Sequence, residues 1–331
     1  MADVTDTRND INGGQQTPSL RGRPGRLPPE ESAKITRRIT AMAVIIGIIL
    51  IAAKFFIWQE SGSVGILSSL VHSSLDLFGA MSSFFAVRYA ARPPDDNYRF
   101  GHGKSESFAA VFQVCLIVFA SFHLLEEAFE RFNDPSPILH GGFAITAMLF
   151  CIAITLWLLI AQTWAIRSTG SIAVRGDRAH YLADMLANVV VISGLVLTSY
   201  TPFLRADSLV GVIIALWLLW TGYKVARLAW SQLMDRELPD TERNFIRDLA
   251  LKDSQVKAVH DLRTRASGPH IHIQMRLDLD ETLTLSQAHD VILAAEQRVM
   301  GAYKAADILI HPHPTGCEHT HGNKRFRSGN N

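Results

Sequence analysis

Residues 64–91 read VGILSSLVHSSLDLFGAMSSFFAVRYAA and residues 179–200 read AHYLADMLANVVVISGLVLTSY. Each stretch is long and apolar enough for a bilayer-spanning helix, and each carries the same H-x-x-x-D spacing. His72 and Asp76 form one pair, His180 and Asp184 the other. A helix rises about 1.5 Å per residue, so the members of a pair share one face roughly 6 Å apart along the axis. Two such helices packed face to face can converge four ligands on one ion. Ionisable groups at the bilayer centre cost about 2.5 kcal/mol or more each and normally mark ion or proton pathways. Two imidazoles and two carboxylates suit a tetrahedral divalent metal, zinc first. The bland alternative, polar side chains satisfied locally in a bundle core, would have to arise twice with the same spacing.

Working outward, the 331-residue chain contains six long apolar stretches, at about 39–58, 64–91, 107–130, 142–166, 179–200 and 208–230. It is 48% hydrophobic with a formal net charge of +1 and a mean hydropathy of +0.14, which fits a membrane protein with a sizeable soluble part. Basic residues fix the orientation. Arg37 and Arg38 precede the first stretch, Arg88, Arg92, Arg99 and Lys104 fill the 2–3 connection, Arg175 and Arg178 the 4–5 connection, and Lys224, Arg227 and Arg236 accompany the end of the sixth. The other connections are short and poor in Lys and Arg. Both termini are therefore expected in the cytoplasm, with the chain integral to a membrane.

Residues 1–35 are polar, rich in Gly, Pro and Arg, and lack a signal-peptide core, so they read as a disordered cytoplasmic arm. Residues 36–234 form the expected six-helix transmembrane domain. After Met234 the composition becomes charged and alternating. Residues 235–314 read as a cytoplasmic α+β domain of order αββαβ, with helices near Pro239–Lys252 and Thr284–Met300 and strands at Val256–Arg265, His270–Asp280 and Ala306–His311. Residues 315–331 read as a disordered tail, in which Cys317, His319 and His321 form a compositional hint of metal binding. Cys115 and Cys151 read as small packing residues within spans. The domain's histidines concentrate at His260, His270, His272, His289, His311 and His313, with alternation placing His270 and His272 on one face and His311 and His313 likewise.

With the buried pairs, the six spans and the αββαβ tail in place, the sequence resembles the cation diffusion facilitators, especially the bacterial zinc and iron efflux members. The resemblance runs from about Thr36 to Pro314. It rests on HSSLD at 72–76, PDDNYRFGHGKSE at 94–106, HYLAD at 180–184 and LMDRELPD at 233–240, supported by VHDLRTR at 259–265, QAH at 287–289 and IHPH at 310–313. It implies a ferredoxin- or metallochaperone-like cytoplasmic domain and a homodimer in the lipid bilayer that exports a divalent metal ion against protons by alternating access. The transport site would be His72, Asp76, His180 and Asp184, a two-His, two-Asp set that resembles the zinc-restricted members. A second metal site in the 2–3 loop would map to Asp95, Tyr98 and His102, where Tyr98 departs from the family's histidine. The cytoplasmic binuclear site would map to His260, Arg276, His289, His311 and His313, where Arg276 replaces a histidine and His313 an aspartate. His270 and His272 are further candidates for missing ligands. Lys104 and Asp235 match a charge pair found at the dimer interface near the membrane surface.

Zn²⁺ is thus the expected cargo and a possible regulatory ion. Two alternatives remain on the sequence: a zinc-sensing or scaffold membrane protein without net transport, and a transporter of the same architecture for iron or manganese. No nucleophile constellation, P-loop or dinucleotide fingerprint occurs, so an enzyme is not expected. Nothing points to a nucleic-acid partner.

Overall fold

The computed structural model describes residues 24–61, 64–133, 142–200 and 206–316. The first 23 residues, most of the outer connections and the Cys317, His319 and His321 cluster lie outside them. Six long helices come first: α1 (Pro29–Ser61), α2 (Val64–Ala90), α3 (Ser105–Asn133), α4 (Gly142–Thr169), α5 (Ile172–Tyr200) and α6 (Ala206–Leu233). Pro29 opens α1 with Glu30 and Glu31 in its first turn, where a fixed φ and negative charge both suit the positive end of the helix dipole.

The outside of the bundle is far more apolar than that of a soluble protein. Phe78, Phe85, Phe119, Trp157, Trp164 and Trp220 are exposed, whereas Ser83, Gln113, Ser121, Gln162 and Asp177 are buried. Large apolar side chains facing outward, with polar side chains set among the buried apolar clusters of the bundle, are what a hydrocarbon solvent allows. Among the described residues α1, α3, α4 and α6 are long and apolar enough to cross a membrane. The less apolar α2 and α5 carry the two H-x-x-x-D pairs. Helix α1 packs on α2 and α4, α3 on α5 and α6, and α5 touches α2 in the middle of the bundle.

The C-terminal domain has the expected order αββαβ: α7 (Asp240–Ala250), β1 (Val256–Ser267), β2 (His270–Leu279), α8 (Leu285–Ala302) and β3 (Ala306–Pro314). Strand β2 is central, antiparallel to β1 and parallel to β3. Its odd-numbered residues, Ile271 to Leu279, are buried with Ile246 of α7 and Val291, Ala295 and Val299 of α8. Period-2 alternation supplies one face of that core and period-3.6 stripes the other. Thr284 and Gln287 start α8 with a reciprocal capping box.

Two of the contacts that join the domains are made by glycines. A Cβ on Gly103 would lie 2.1 Å from the Ser267 carbonyl oxygen, so only glycine lets the 2–3 loop seat on the β1–β2 turn. The second contact corrects the expected disordered arm of residues 1–35. Within that range Pro24 to Pro28 are ordered and α1 begins at Pro29. The Gly25 N–H donates to the Pro269 carbonyl at 3.0 Å and its carbonyl accepts from Ala305 N–H at 3.1 Å. Gly25 has φ +82° and lies against Ile271, a left-handed conformation that favours glycine. Arg26 then donates to the Ala302 carbonyl and to Glu242, both at 3.0 Å. Burial and ion pairing of this one residue outweigh the polar composition around it. At the other end, the Thr315 N–H donates to the Leu279 carbonyl at 2.8 Å, so the start of the expected tail closes β3.

Candidate metal centre and cytoplasmic surface

The H-x-x-x-D spacing does what helical geometry requires. His72 and Asp76 lie on the face of α2 toward α5, and His180 and Asp184 on the face of α5 toward α2. His72 Nε2 lies 3.4 Å from Asp184 Oδ1 and 3.8 Å from Asp76 Oδ1. His180 Nε2 lies 3.0 Å from Asp76 Oδ1 and 3.7 Å from Asp184 Oδ2. A tetrahedral site with bonds near 2.0 Å has ligand–ligand edges of roughly 3.3 Å. The four His–Asp separations bracket that edge, and each imidazole faces a carboxylate from both helices; the ligand atoms that all lie within 4.8 Å of one another are those of His72, Asp76 and Asp184, with His180 joined to them through the two carboxylates. His180 is 3% exposed and His72 40%, so one imidazole is enclosed by the bundle and the other is only partly covered.

A second polar layer lies toward the N-terminal end of α5 and was not singled out in the sequence. Asp177 is fully buried and accepts from Gln162 Nε2 at 2.8 Å and Gln113 Nε2 at 3.1 Å. Positions 177, 180 and 184 follow an i, i+3, i+7 pattern and share a helix face, a signal obscured by Arg175 and Arg178 on either side. Tyr181 donates to the Ala43 carbonyl at 3.1 Å and ties α5 to α1. Glu106, the last residue of the GHGKSE stretch, accepts from Ser171 Oγ at 2.5 Å and from the Ile172 N–H at 3.2 Å. A buried carboxylate thereby satisfies the start of α5. On the other side of the quartet, Lys54 of α1 donates to Ser73 at 2.6 Å, next to His72.

In the 2–3 loop His102 is buried and lies 3.3 Å from Asp95, while Tyr98 packs its ring 4.8 Å from the His102 ring. The Asp95 carboxylate accepts from the backbone N–H groups of Asn97 and Tyr98, which hold its pKa below the usual carboxylate range, with His102 adding to the effect. Asp95 and His102 are thus brought together, with an aromatic ring at the third position. Lys104 and Asp235 pair at 3.0 Å within one chain, and Arg265 reaches the same carboxylate at 3.2 Å.

The polar face of the sheet holds most of the remaining candidates. His270 and His272 share it as expected. Among the described residues, His272 contacts Asp307 at 2.9 Å. His260 lies 3.0 Å from Asp278, and His313 lies 3.8 Å from its other oxygen. Asp278 was missed in the sequence, where it reads as one more alternating strand residue; only the β2–β3 register, Asp278 opposite His313, reveals it. Arg276 pairs with Asp261 at 3.0 Å and sits between His260 and His311 in the strand register. A cation therefore occupies the position that the resemblance assigns to a ligand. His289 is exposed on α8, and α8 packs on the opposite face of the sheet. One chain does not bring His289 together with His260, His311 and His313.

Comparison with known proteins gives matches along nearly all of the described chain. Residues 40–234 match the cation efflux transmembrane domain, and residues 238–315 match the cation efflux protein cytoplasmic domain. The cation-efflux pump FieF of Yersinia enterocolitica is 36% identical over 283 residues, covering 86% of this chain and 94% of that protein. The FieF pump of Serratia proteamaculans is 36% identical over 282 residues, covering 85% and 94%. That of Citrobacter koseri is 35% identical over 293 residues, covering 88% and 97%.

Proposed function

The chain belongs to the cation-efflux family and is an integral membrane cation-efflux transporter; from that premise we propose that its cargo is zinc, exported from the cytoplasm in exchange for protons by alternating access to His72, Asp76, His180 and Asp184. The observation that carries this reading is the set of contacts between 3.0 and 3.8 Å linking the two imidazoles to the two carboxylates. Those four His–Asp separations are close to the edge of a tetrahedral zinc site, which supports the reading. Two nitrogen donors also favour zinc over hard oxygen-preferring cations.

Proton exchange follows from ligand chemistry. Metal and protons compete for the same lone pairs, so a bound ion requires neutral imidazoles and ionised carboxylates. A more acidic outer side then reloads the ligands with protons and expels the metal. The Gly25 contacts with Pro269 and Ala305 put the start of α1 on the same side as the cytoplasmic domain. An even number of crossings between them supports the reading of six spans with both termini inside. The cytoplasmic domain is of the family's dimerisation type, which supports a homodimer.

Ferrous iron is the second reading, favoured by the 40% exposure of His72, which leaves room for water in a larger coordination shell. Proteoliposomes settle the choice. Zinc-driven proton flux, abolished in Asp184→Ala and absent with ferrous iron or manganese under reducing conditions, is the expected result. Flux with iron alone supports the second reading, and zinc binding without flux in either protein supports a sensor or scaffold.

A further inference from the structure

A cleft of about 900 Å³ opens where the cytoplasmic ends of α1 and α2 meet the β1–β2 turn. Lys34, Arg37 and Arg38 reach it from α1, Arg88 and Arg92 from the end of α2, and His270 closes it from the sheet. Among the described residues Glu30 is the one acidic side chain on its wall, leaving four excess positive charges there. Among the described residues none of these five cations is ion-paired. Arginine–carboxylate pairs lie elsewhere, among them Arg26–Glu242, Arg243–Asp240 and Arg265–Asp235. Two of the guanidinium groups are held by aromatic faces, Arg88 over Phe84 at 4.2 Å and Arg92 over Tyr89 at 5.0 Å. Stacking orients a guanidinium while leaving its in-plane N–H donors available to an oxyanion.

We propose that this cleft binds the headgroup of a diphosphatidyl phospholipid of the cytoplasmic leaflet. Unpaired charge calls for an anion, and four excess charges are better matched by two phosphodiesters than by one. The apolar surface that continues from the cleft selects a lipid over a soluble phosphate. Along α1, Ala41 lines the cleft, and Ile45 and Ile48 follow at i+4 and i+7, exposed by 56% and 52%. Along α2, Phe85 and Phe78 continue the face below Arg92 and Arg88, both largely exposed. Basic groups at the headgroup level above such a rail form a pocket of the kind that retains anionic lipids between helices. Scattered positive-inside residues would anchor the protein generally, but they would not converge on one concavity. Because Pro269 and His270 complete the wall, a bound headgroup bridges the cytoplasmic domain to α2, the helix that carries His72 and Asp76.

The test is native mass spectrometry of the full-length protein in detergent, titrated separately with cardiolipin, phosphatidylglycerol, phosphatidylcholine and inorganic pyrophosphate. Cardiolipin adducts should exceed the others. They should weaken roughly a hundredfold when three cations are neutralised in Arg37→Gln/Arg88→Gln/Arg92→Gln. The corresponding Arg→Lys triple, which keeps the charges, should retain most of the binding and reports that the fold tolerates change there. Lys224→Gln/Arg227→Gln, two membrane-surface cations outside the cleft, should bind like the wild type. Equal binding of phosphatidylglycerol, preference for pyrophosphate, equal loss in the Lys224/Arg227 control, or retention in the Gln triple would each overturn the proposal.

Discussion

Arg26 stands one hydrogen bond, 3.0 Å, from Glu242, although 216 positions separate them in the chain. The pair is enclosed, with 10% and 3% of the two side chains exposed. The guanidinium lies 3.8 Å over the Tyr303 ring, and the Tyr303 hydroxyl donates to the same Glu242 carboxylate. The segment before α1 is thereby clasped to α7 and α8 of the cytoplasmic domain.

Removing one member of a buried pair leaves the other charge uncompensated, at a cost of about 3–5 kcal/mol. Arg26→Ala should therefore lower the thermal midpoint of the full-length protein and raise hydrogen exchange in α7 and around Tyr303. Arg26→Met/Glu242→Leu, which removes both charges and keeps the volume, should recover most of the loss. A double variant as unstable as Arg26→Ala would mean that packing, and not the ion pair, holds the segment.

Asp177 makes a similar argument inside the membrane. Its carboxylate accepts from both the Gln113 and Gln162 amides, in the turn of α5 that precedes His180. Asp177→Ala would remove that acceptor from two buried donors, at about 1–3 kcal/mol for each group left unsatisfied. The expected outcome is a lower unfolding temperature in detergent together with weaker zinc binding, because the turn that positions His180 loses its anchors. Zinc affinity unchanged at reduced stability would confine Asp177 to a structural role.

Protons should also act on the cytoplasmic domain. Burial, with the neighbouring His272, holds the His270 pKa below its ordinary value against the opposing pull of Asp307. The unfolded chain then binds this proton more readily than the folded one. The stabilising contribution is complete above the unfolded pKa of about 6.5 and is lost as the pH falls toward the lower folded value. Thermal unfolding without added lipid, measured about one unit either side of 6.5, should show a drop on the acidic side that shrinks in His270→Asn. An equal drop in the variant would assign the effect to other groups.

What could be read from the chain divides along the range of the interactions. The four-residue ligand spacing and the αββαβ order are local periodicities, so His72, Asp76, His180, Asp184 and the buried odd-numbered face of β2 were all visible. Arg26 was not, because its partners Glu242, Ala302 and Tyr303 come from a domain more than 200 residues away and only tertiary packing turns a polar arm into an ordered one. Asp177 was masked by its basic neighbours. Asp278 needed a parallel strand register that no local pattern encodes. His289 shows the converse: its place in a motif suggested a shared site, but helical phase puts it on the far side of the sheet from His311.

The identity of the cargo rests on His72 more than on its three companions. It is the most exposed of the four and contributes one of only two nitrogen donors. His72→Asp would convert the set to one imidazole and three carboxylates, a harder and more negative cage that suits manganese and other oxygen-preferring ions. If zinc is the native cargo, the variant should lose zinc flux relative to manganese, and a change in preference of about 1.4 kcal/mol suffices to move that ratio tenfold. The measurement is metal-driven proton flux in proteoliposomes for both ions and both proteins. A variant that moves more of every metal than the wild type would instead indicate that His72 restrains a site built for harder cations, and would count against zinc as the cargo for which the quartet is shaped.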